Sequence, residues 1–383
     1  MSQHVHLIGI AGAGLSAIAR VLLESGYTVS GSDRSLSSLT HDLEHAGAKI
    51  FSGHRAENIA GADLVVRSSA VTDDNPEVLA ARASGIVVLK RAEFIASLMA
   101  GKTGIAVAGT HGKTTTTAMI AWMFSRLGLD PSYIIGGISK NLSNNAHAGH
   151  GDYFVIEADE YDRMFLGLNP NWILLTHLEH DHPDCYPTLE EYRQAFVDFV
   201  SRLAAGGGLL TCLDHPETAA MAQAVVPSGC QVWTYGLTEQ ADYTAAGLST
   251  NPLGGTSFNV LFQHRPLARI ELQVPGLHNV RNALAALALT HRLHLSLETA
   301  AAALGEFSGT ARRFDLLGEA GGVTIYNDYA HHPTEIRTTL AAARQRHPNR
   351  RIWAVWQPHT YSRTRALFTE FANAFADADL VIV

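Results

Sequence analysis

A chain of 383 residues is longer than one ordinary hydrophobic core can hold, so it predicts two or three domains. Hydrophobic residues make up 46% and charged residues 17%, a composition that is typical of folded globular proteins and excludes a disordered chain. The formal net charge of −8, without a long run of lysine and arginine, argues against nucleic acid as a partner.

The N-terminal sequence MSQHVHLIGIAGAG lacks the basic region and cleavage site of a secretion signal. No apolar run approaches the ~18 residues that a membrane-spanning helix needs. We therefore expect a cytoplasmic protein without membrane insertion. The three cysteines lack CxxC spacing, and they predict neither a disulfide framework nor a zinc knuckle.

The first hundred residues alternate between strand and helix patterns. Residues 4–10 form a short apolar run that ends in a glycine-rich turn, and apolar residues from Leu15 to Leu23 then follow helical spacing. A second strand pattern ends at Asp33, and the runs DLVVRSSAV and GIVVLKRAE continue the alternation. This pattern predicts a Rossmann-like domain over residues 1–101, with a parallel, doubly wound sheet.

The pattern restarts at Gly104 with the strand GIAVAG, a loop and a helix from about Thr114. Strands follow near DYFVIEAD and NWILLT, and the pair Gly254 and Gly255 between two β-rich runs predicts an antiparallel hairpin within residues 241–274. We therefore expect a larger, P-loop ATPase-like central domain over residues 102–312.

A third restart after Arg313 brings the strand patterns VTIYNDYA, RIWAVWQP and DLVIV, with helical patterns between them. These predict a C-terminal Rossmann-like domain over residues 313–383. The last pattern is a strand without its next crossover, so we expect this domain to be truncated. The fold class is thus α/β, with three α/β domains in series.

The first glycine-rich loop, Gly12-Ala13-Gly14-Leu15-Ser16-Ala17, fits the pattern G-x-G-x-x-G/A, and Asp33 follows about 20 residues later. Such glycines let the backbone approach a pyrophosphate at the N-terminus of a helix. Taken alone, the motif suggests an NAD-dependent oxidoreductase or a tight turn with only a structural role.

The second loop, Gly109-Thr110-His111-Gly112-Lys113-Thr114, ends like a P-loop, although Val107 stands where the strict spacing has glycine. Backbone N–H groups and Lys113 would hold phosphates, and the Thr114 hydroxyl would hold Mg²⁺. The alternative is an ordinary helix N-terminus with a surface lysine. Two anion loops in separate domains favour one nucleotide on the substrate and ATP on the central domain over a single NAD site.

Acidic and histidine side chains cluster after two central strands. The first cluster comprises Glu157, Asp159, Glu160 and Asp162, and the second comprises His177, Glu179, His180, Asp181, His182 and Asp184. Ligands bind at the carboxyl edge of open α/β sheets, and hard oxygen ligands suit Mg²⁺. Zinc is the competing interpretation, and a solvated acidic loop is the third.

These motifs together resemble the Mur ligase family over the whole chain. The resemblance rests on GTHGKT with Thr115–Thr117, EADE at 157–160, DHPD at 181–184, PGLHNVRNALAA at 275–286, ARRFD at 311–315, DYAHHPTEI at 328–336 and QPHTYSRT at 357–364. SSAV at 68–71, with Asn75-Pro76-Glu77, is more similar to the alanine-adding member than to the murein-tripeptide recycling member.

The resemblance implies an ATP-dependent ligase that adds L-alanine to UDP-N-acetylmuramate through an acyl phosphate, in peptidoglycan precursor synthesis. It implies ATP and Mg²⁺ as cofactors, and we expect a monomer or weak homodimer. The alternatives are the tripeptide-recycling activity, an NAD-dependent oxidoreductase and a nucleotide-binding regulator without catalysis.

The resemblance also implies roles for individual residues. The catalytic residues would be Lys113, His182 and Arg313, and the metal ligands Thr114, Glu157 and His182. The ATP-binding residues would be Gly109, Thr110, His111, Gly112, Lys113, Thr114, Thr115, Asn279, Asn282 and Asp328. The substrate-binding residues would be Gly12, Gly14, Leu15, Ser16, Asp33, Ser69, His359, Arg363 and Arg365.

Three features depart from the family pattern. The first loop reads GIAGAGLSAIA where the family more often has GIGGxGMSGIA, Tyr161 stands where serine is common, and His177 stands where asparagine is usual. These three departures bear on the uridine side of the site and on the identity of the acceptor. The residues of the ATP loop are unaffected.

Overall fold

Two parallel-stranded sheets organise the chain in the computed structural model, which describes residues 3–222 and 226–383. The first sheet has five strands, and the second has ten strands and carries an antiparallel extension. This arrangement confirms the α/β class expected from the sequence. Within the described ranges, no helix is long and apolar enough to cross a membrane.

The N-terminal unit is a doubly wound sheet. Its elements are β1 (His4–Ile8), α1 (Ala13–Glu24), β2 (Thr28–Asp33), α2 (Ser38–His45), β3 (Lys49–Ser52), β4 (Leu64–Arg67), α3 (Pro76–Ala83), β5 (Val87–Lys90) and α4 (Arg91–Leu98). The strand order is β3-β2-β1-β4-β5, and all pairs are parallel. The order reverses between β1 and β4, so the loops that follow these two strands flank the crevice where such folds bind ligands.

The central unit carries the ten-stranded sheet. Its elements are β6 (Thr103–Ala108), α5 (Lys113–Arg126), β7 (Ser132–Ser139), β8 (Asn144–His147), β9 (Tyr153–Glu157), β10 (Trp172–Leu175), α6 (Leu189–Val200), β11 (Gly208–Cys212), α7 (Pro216–Met221), β12 (Gln231–Gly236), β13 (Tyr243–Thr250), β14 (Thr256–Phe262), β15 (Arg265–Glu271), α8 (Leu277–Arg292) and α9 (Leu297–Gly305). The strand order is β15-β14-β13-β12-β11-β10-β6-β9-β7-β8.

Strand β6 lies between β10 and β9 and is parallel to both. The carboxyl ends of these three strands therefore meet at one edge of the sheet, which brings together the phosphate loop after β6 and the acidic segments after β9 and β10. Helix α5 buries Met119, Met123 and Phe124 in the core that it shares with α8 and α9, and this packing fixes the loop at its N-terminus.

The antiparallel extension confirms the hairpin expected around Gly254 and Gly255. Strands β13 and β14 pair across that turn, and β15 adds a third strand through Gln263 and His264, both of which have positive φ. The sequence analysis did not separate this third strand, because the second turn contains no glycine to mark it.

The C-terminal unit contains β16 (Asp315–Ala320), β17 (Val323–Asn327), α10 (Pro333–Arg346), β18 (Trp353–Val355), α11 (Tyr361–Ala366), α12 (Phe368–Ala372) and β19 (Leu380–Ile382). Strands β18 and β19 are parallel, whereas β16 and β17 form an antiparallel hairpin. The sequence analysis missed β16. Gly321 and Gly322, both with positive φ, form the turn between β16 and β17. This glycine pair could have indicated the hairpin from the sequence.

Candidate functional site

The phosphate loop, Gly109–Thr114, is held against the segment that follows β10. The Thr110 amide donates a hydrogen bond to the His177 carbonyl at 2.5 Å, and the Thr110 hydroxyl donates to the Glu179 carbonyl at 2.8 Å. Gly109 has φ +131°, and a Cβ there would overlap the Thr176 hydroxyl. Only glycine fits this position, because any other residue would have a Cβ. The two hydrogen bonds of Thr110 hold the loop in this conformation.

Lys113 points back into the loop. Its Nζ donates to the carbonyls of Gly109 and Thr110 at 2.6 and 3.1 Å and lies 2.9 Å from Oε2 of the buried Glu160. Burial alone would lower the pKa of Lys113, but the carboxylates of Glu160 and Glu157 raise it above its ordinary value. The loop therefore holds a permanent cation where phosphate oxygens can replace the backbone carbonyls.

Two oxygen ligands for a hard cation lie together beside this lysine. The Thr114 hydroxyl donates to Oε1 of Glu157 at 3.1 Å, while Oε2 of Glu157 accepts from the Gly136 amide at 2.7 Å. A hydroxyl and a carboxylate next to a phosphate loop fit Mg²⁺, which prefers oxygen ligands and shares them with substrate phosphates.

His182, the third expected metal ligand, faces other carboxylates. Its Nε2 lies 3.6 Å from both Glu160 Oε1 and Asp181 Oδ2. These carboxylates raise the pKa of His182 above its ordinary value, although burial alone would lower it. His182 lines the same cavity as Thr114 and Glu157, but the structure records no direct contact with either among the described residues.

A cavity of about 840 Å³ extends from this site toward the other two units. Its walls include residues of the phosphate loop and the acidic clusters, together with Arg91, Arg313, His359 and Arg363. Of the amino-acid-side residues expected from the sequence, His359 and Arg363 reach this cavity. Arg365 is exposed and stands outside its walls.

An adjacent cavity of about 170 Å³ opens on the other side of the loop. Of the expected ATP-binding residues, those that line it are His111, Gly112, Thr114, Thr115, Asn279, Asn282 and Asp328, together with Arg313; Gly109, Thr110 and Lys113 do not line it. Asn279 and Asn282 are buried and hydrogen-bonded to each other. Asp328 accepts from the amides of Phe314 and Ala330 at 2.7 and 2.8 Å, which fixes its carboxylate.

The first glycine-rich loop borders a third cavity, of about 490 Å³, at the point where the strand order of the N-terminal sheet reverses. Gly12, Gly14, Leu15 and Ser69 line it. Ser16 instead lies buried within α1, with its hydroxyl donating to the Ala13 carbonyl. Asp33 accepts from the Ala11 amide at 3.0 Å and so shapes the loop.

Arg91, which the sequence analysis did not single out, stands between the two larger cavities and lines both. It donates to Asp159 Oδ2 at 3.0 Å, and a Cβ on Gly14 would overlap its guanidinium group. A cation thus lies directly on the first glycine-rich loop and connects it to the acidic segment after β9.

Glu335, which the sequence analysis did not single out, links the phosphate loop to helix α10. His111 Nε2 lies 2.5 Å from Glu179 Oε1, and its Nδ1 lies 3.2 Å from Glu335 Oε1. Burial alone would lower the pKa of His111, but the two carboxylates raise it to about 9. Arg313 also donates to Glu335, at 3.3 Å. Glu335 lies within the motif DYAHHPTEI, but the spacing of that motif does not indicate which side chains Glu335 contacts.

Models of known families match three consecutive segments of this chain. The Mur ligase family catalytic domain matches residues 4–103, the Mur ligase middle domain matches residues 107–290, and the Mur ligase glutamate ligase domain matches residues 312–383. These matches follow the three α/β units in order.

Individual relatives match over the full length of the chain. It is 46% identical to the UDP-N-acetylmuramate–L-alanine ligase of Geobacter sp. (strain M21) and 47% identical to that of Desulforamulus reducens; each match covers 100% of this chain and 82% of the relative. The solved structure of the UDP-N-acetylmuramate-alanine ligase from Thermotoga maritima is 32% identical, with a TM-score of 0.84 over 99% of this chain and 84% of that one. A murein peptide ligase from Psychrobacter arcticus is 29% identical, with a TM-score of 0.80 over the same shares. On these matches and on its fold, the chain belongs to the Mur ligase family.

Proposed function

We propose that this chain is an ATP-dependent ligase that adds L-alanine to UDP-N-acetylmuramate in peptidoglycan precursor synthesis. The observation that carries the proposal is the cavity that Lys113, Thr114 and Glu157 share with Arg91 on one side and Arg363 on the other. This cavity joins the phosphate loop to Gly14 of the first glycine-rich loop and to the buried Arg363. Full-length relatives named for this activity support the same conclusion.

The reaction must activate a carboxylate, because an amide does not form from a free carboxylate and an amine in water without an energy source. A carboxylate oxygen of UDP-N-acetylmuramate attacks the γ-phosphorus of ATP, the bond to the β–γ bridging oxygen breaks, and ADP leaves. The L-alanine amine then attacks the acyl carbon and loses a proton, the bond from that carbon to the phosphoryl-bearing oxygen breaks, and phosphate leaves with the former carboxylate oxygen and takes up the proton.

Each residue of the central unit has a defined part in this scheme. Lys113 and Arg313 neutralise charge on the transferring phosphoryl group, and Thr114 and Glu157 would hold Mg²⁺. When bound, Mg²⁺ would neutralise the phosphate oxygens of ATP. Asn279, Asn282 and Asp328 would hold the nucleoside in the smaller cavity.

The outer units would supply the two other substrates. Gly12, Gly14 and Ser69 would accept the pyrophosphate of the UDP moiety at the N-terminus of α1, where free N–H groups favour an anion. Arg91 would add its charge from across the crevice. His359 and Arg363 would face the amino acid, with Arg363 available to the alanine carboxylate.

We further propose that the units correspond to domains at residues 1–101, 102–312 and 313–383, and that the protein acts in the cytoplasm as a monomer or weak homodimer. Light scattering after size-exclusion chromatography tests the oligomeric state, and a stable higher oligomer would contradict it.

A phosphate-release assay tests the function. UDP-N-acetylmuramate is crossed with L-alanine, glycine, L-serine and the murein tripeptide, each with and without ATP and Mg²⁺. We expect L-alanine to give the highest kcat/KM and the release to require both ATP and Mg²⁺. Turnover with the tripeptide and with none of the amino acids would assign the recycling activity instead. In a separate incubation with NAD⁺, NADH formation would assign an oxidoreductase.

A further inference from the structure

A group of nitrogen and oxygen atoms beside the phosphate loop has the composition of a transition-metal site. One ring nitrogen of His111, one of His177 and one carboxylate oxygen of Glu179 all lie within 4.8 Å of one another. None of these three residues belongs to the proposed Mg²⁺ ligands. We propose that His111, His177 and Glu179 bind a divalent transition-metal ion such as Zn²⁺.

The backbone places the three residues before any ion binds. His111 follows β6, His177 follows the neighbouring parallel strand β10, and the two residues form an isolated antiparallel bridge. The hydrogen bond from the Thr110 amide to the His177 carbonyl fixes the two loops to each other. Because the backbone is already ordered, binding requires little further loss of conformational entropy.

The ligand set selects the class of metal. Two imidazoles and one carboxylate with a free fourth position form the set that zinc adopts in several enzymes, whereas Mg²⁺ prefers oxygen ligands. Tetrahedral zinc, with bonds of about 2.0–2.1 Å, spaces its ligand atoms roughly 3.4 Å apart. Since no two of the ligand atoms are more than 4.8 Å apart, side-chain rotation needs to shorten a separation by at most about 1.4 Å.

His177 is free to make this rotation. Its ring stacks on His215 with centroids 3.6 Å apart, and within residues 3–222 and 226–383 no hydrogen bond to its ring nitrogens is recorded. An imidazole whose ring nitrogens have no recorded hydrogen bond in the described ranges can turn one of them toward an ion.

Neighbouring side chains orient the other two ligands. Glu335 contacts Nδ1 of His111 at 3.2 Å, and the ion would replace the proton on Nε2, which now lies 2.5 Å from Glu179 Oε1. The Thr334 hydroxyl donates to Glu179 Oε2 at 3.1 Å. Carboxylates on the far nitrogen of a histidine ligand are a recurrent feature of zinc sites.

The test measures metal binding to the full chain without nucleotide or Mg²⁺. Calorimetry with Zn²⁺ is expected to give one tight site per chain, and Co²⁺ in its place is expected to give the visible absorption bands of a tetrahedral ion. His177→Asn should weaken the affinity for Zn²⁺ at least tenfold and abolish these bands. Asparagine is usual at this position in the family, so the fold is expected to tolerate it; circular dichroism checks this.

Surface histidines provide the control. His41 and His45 lie one turn apart on the exposed face of α2, an arrangement that can bind zinc adventitiously. His41→Asn should leave the tight site unchanged. The proposal is overturned if His177→Asn binds Zn²⁺ like the unmodified chain, or if His41→Asn removes the site.

Glu179→Gln gives a second measurement. We expect its affinity for Zn²⁺ to fall at least tenfold, and an unchanged affinity would count against the site. Because no ATP is present, these results are independent of the proposed ligase activity.

Discussion

Arg363 donates a hydrogen bond from Nε to Asp181 Oδ1 at 2.7 Å, although the two residues are 182 positions apart in the chain. Both side chains are buried. Burial alone would raise the pKa of Asp181, but the charge of His182 and the hydrogen bond from Arg363 lower it to about 2. This pair ties α11 of the C-terminal unit to the acidic segment after β10, at the wall of the largest cavity.

Replacing Arg363 by methionine should destabilise the protein by about 3 kcal/mol, because the buried Asp181 carboxylate loses its hydrogen-bonded arginine and keeps only His182 as a charged neighbour. Urea unfolding measures the change. Arg365→Met, on the exposed side of the same helix, is the matched control and should change stability by less than about 0.5 kcal/mol. The double variant Arg363→Met/Asp181→Asn should recover much of the loss. If the two substitutions lowered the free energy of unfolding additively, Arg363 and Asp181 would not be coupled.

Glu157→Gln should raise the Mg²⁺ concentration that gives half-maximal phosphate release by roughly 10- to 100-fold. The substitution removes the charged oxygen that contacts the Thr114 hydroxyl but keeps the size of the side chain. Glu298→Gln, an exposed position in the first turn of α9, is the control and should titrate normally. An unchanged Mg²⁺ titration for Glu157→Gln would remove Glu157 from the metal site.

The buried contacts of His111 predict a pH dependence of stability. Its folded-state pKa is raised to about 9, above the ordinary value of 6.5, so its stabilising contribution is complete below about pH 6.5 and disappears as the pH rises through 9. The pKa values of Glu179 and Glu335 are lowered, since hydrogen bonds from His111 outweigh the effect of burial. Their contributions are therefore present above about pH 4.5, the ordinary glutamate value, and are lost in acid.

The comparison of His111→Gln with the unmodified chain checks this sign. The difference in unfolding free energy should be largest between about pH 4.5 and 6.5 and should shrink toward pH 9 and above. His150→Gln, at an exposed turn, controls for general effects of removing a histidine. A difference that grows with pH between 6.5 and 9 would show that His111 is neutral in the folded protein.

Local patterns in the sequence were sufficient for much of the site. Strands that end at one edge of the ten-stranded sheet bring the phosphate loop to the Thr114–Glu157 pair, and the five-stranded sheet places the cavity beside Gly12 in the same way. Alternation of strand and helix predicts both arrangements. Contacts between distant segments were not predictable in this way. No spacing rule relates Arg363 to Asp181 or Glu335 to His111, because those pairs depend on how the C-terminal unit packs on the central one.

The same distinction explains the errors in the strands. β16 lies in LLGEA, which has little β-branched character, so its pairing with β17 depends on the Gly321–Gly322 turn. Arg91 was overlooked for a related reason: it begins α4, far in sequence from either loop, and only the crevice between units gives it a role. The functional roles of the individual residues stay predictions.

Lys113 provides the most direct test of the phosphate loop. Lys113→Ala should reduce the rate of ligation by at least roughly 10²- to 10³-fold, which corresponds to about 3–4 kcal/mol of lost transition-state stabilisation. The substitution also leaves the buried Glu160 without its closest cation, so the free energy of unfolding should fall by about 3 kcal/mol. Loss of activity and loss of stability would then be confounded in the single variant.

The double variant Lys113→Ala/Glu160→Gln separates the two effects, since it removes the unpaired charge together with the lysine. It should regain most of the stability in urea unfolding and remain inactive in the phosphate-release assay. Lys49→Ala, at the exposed edge strand β3, is the control and should leave both measurements unchanged. Near-normal turnover by the stable double variant would mean that this loop does not bind the transferred phosphoryl group, because Lys113 is the only lysine among the described residues that line the cavity.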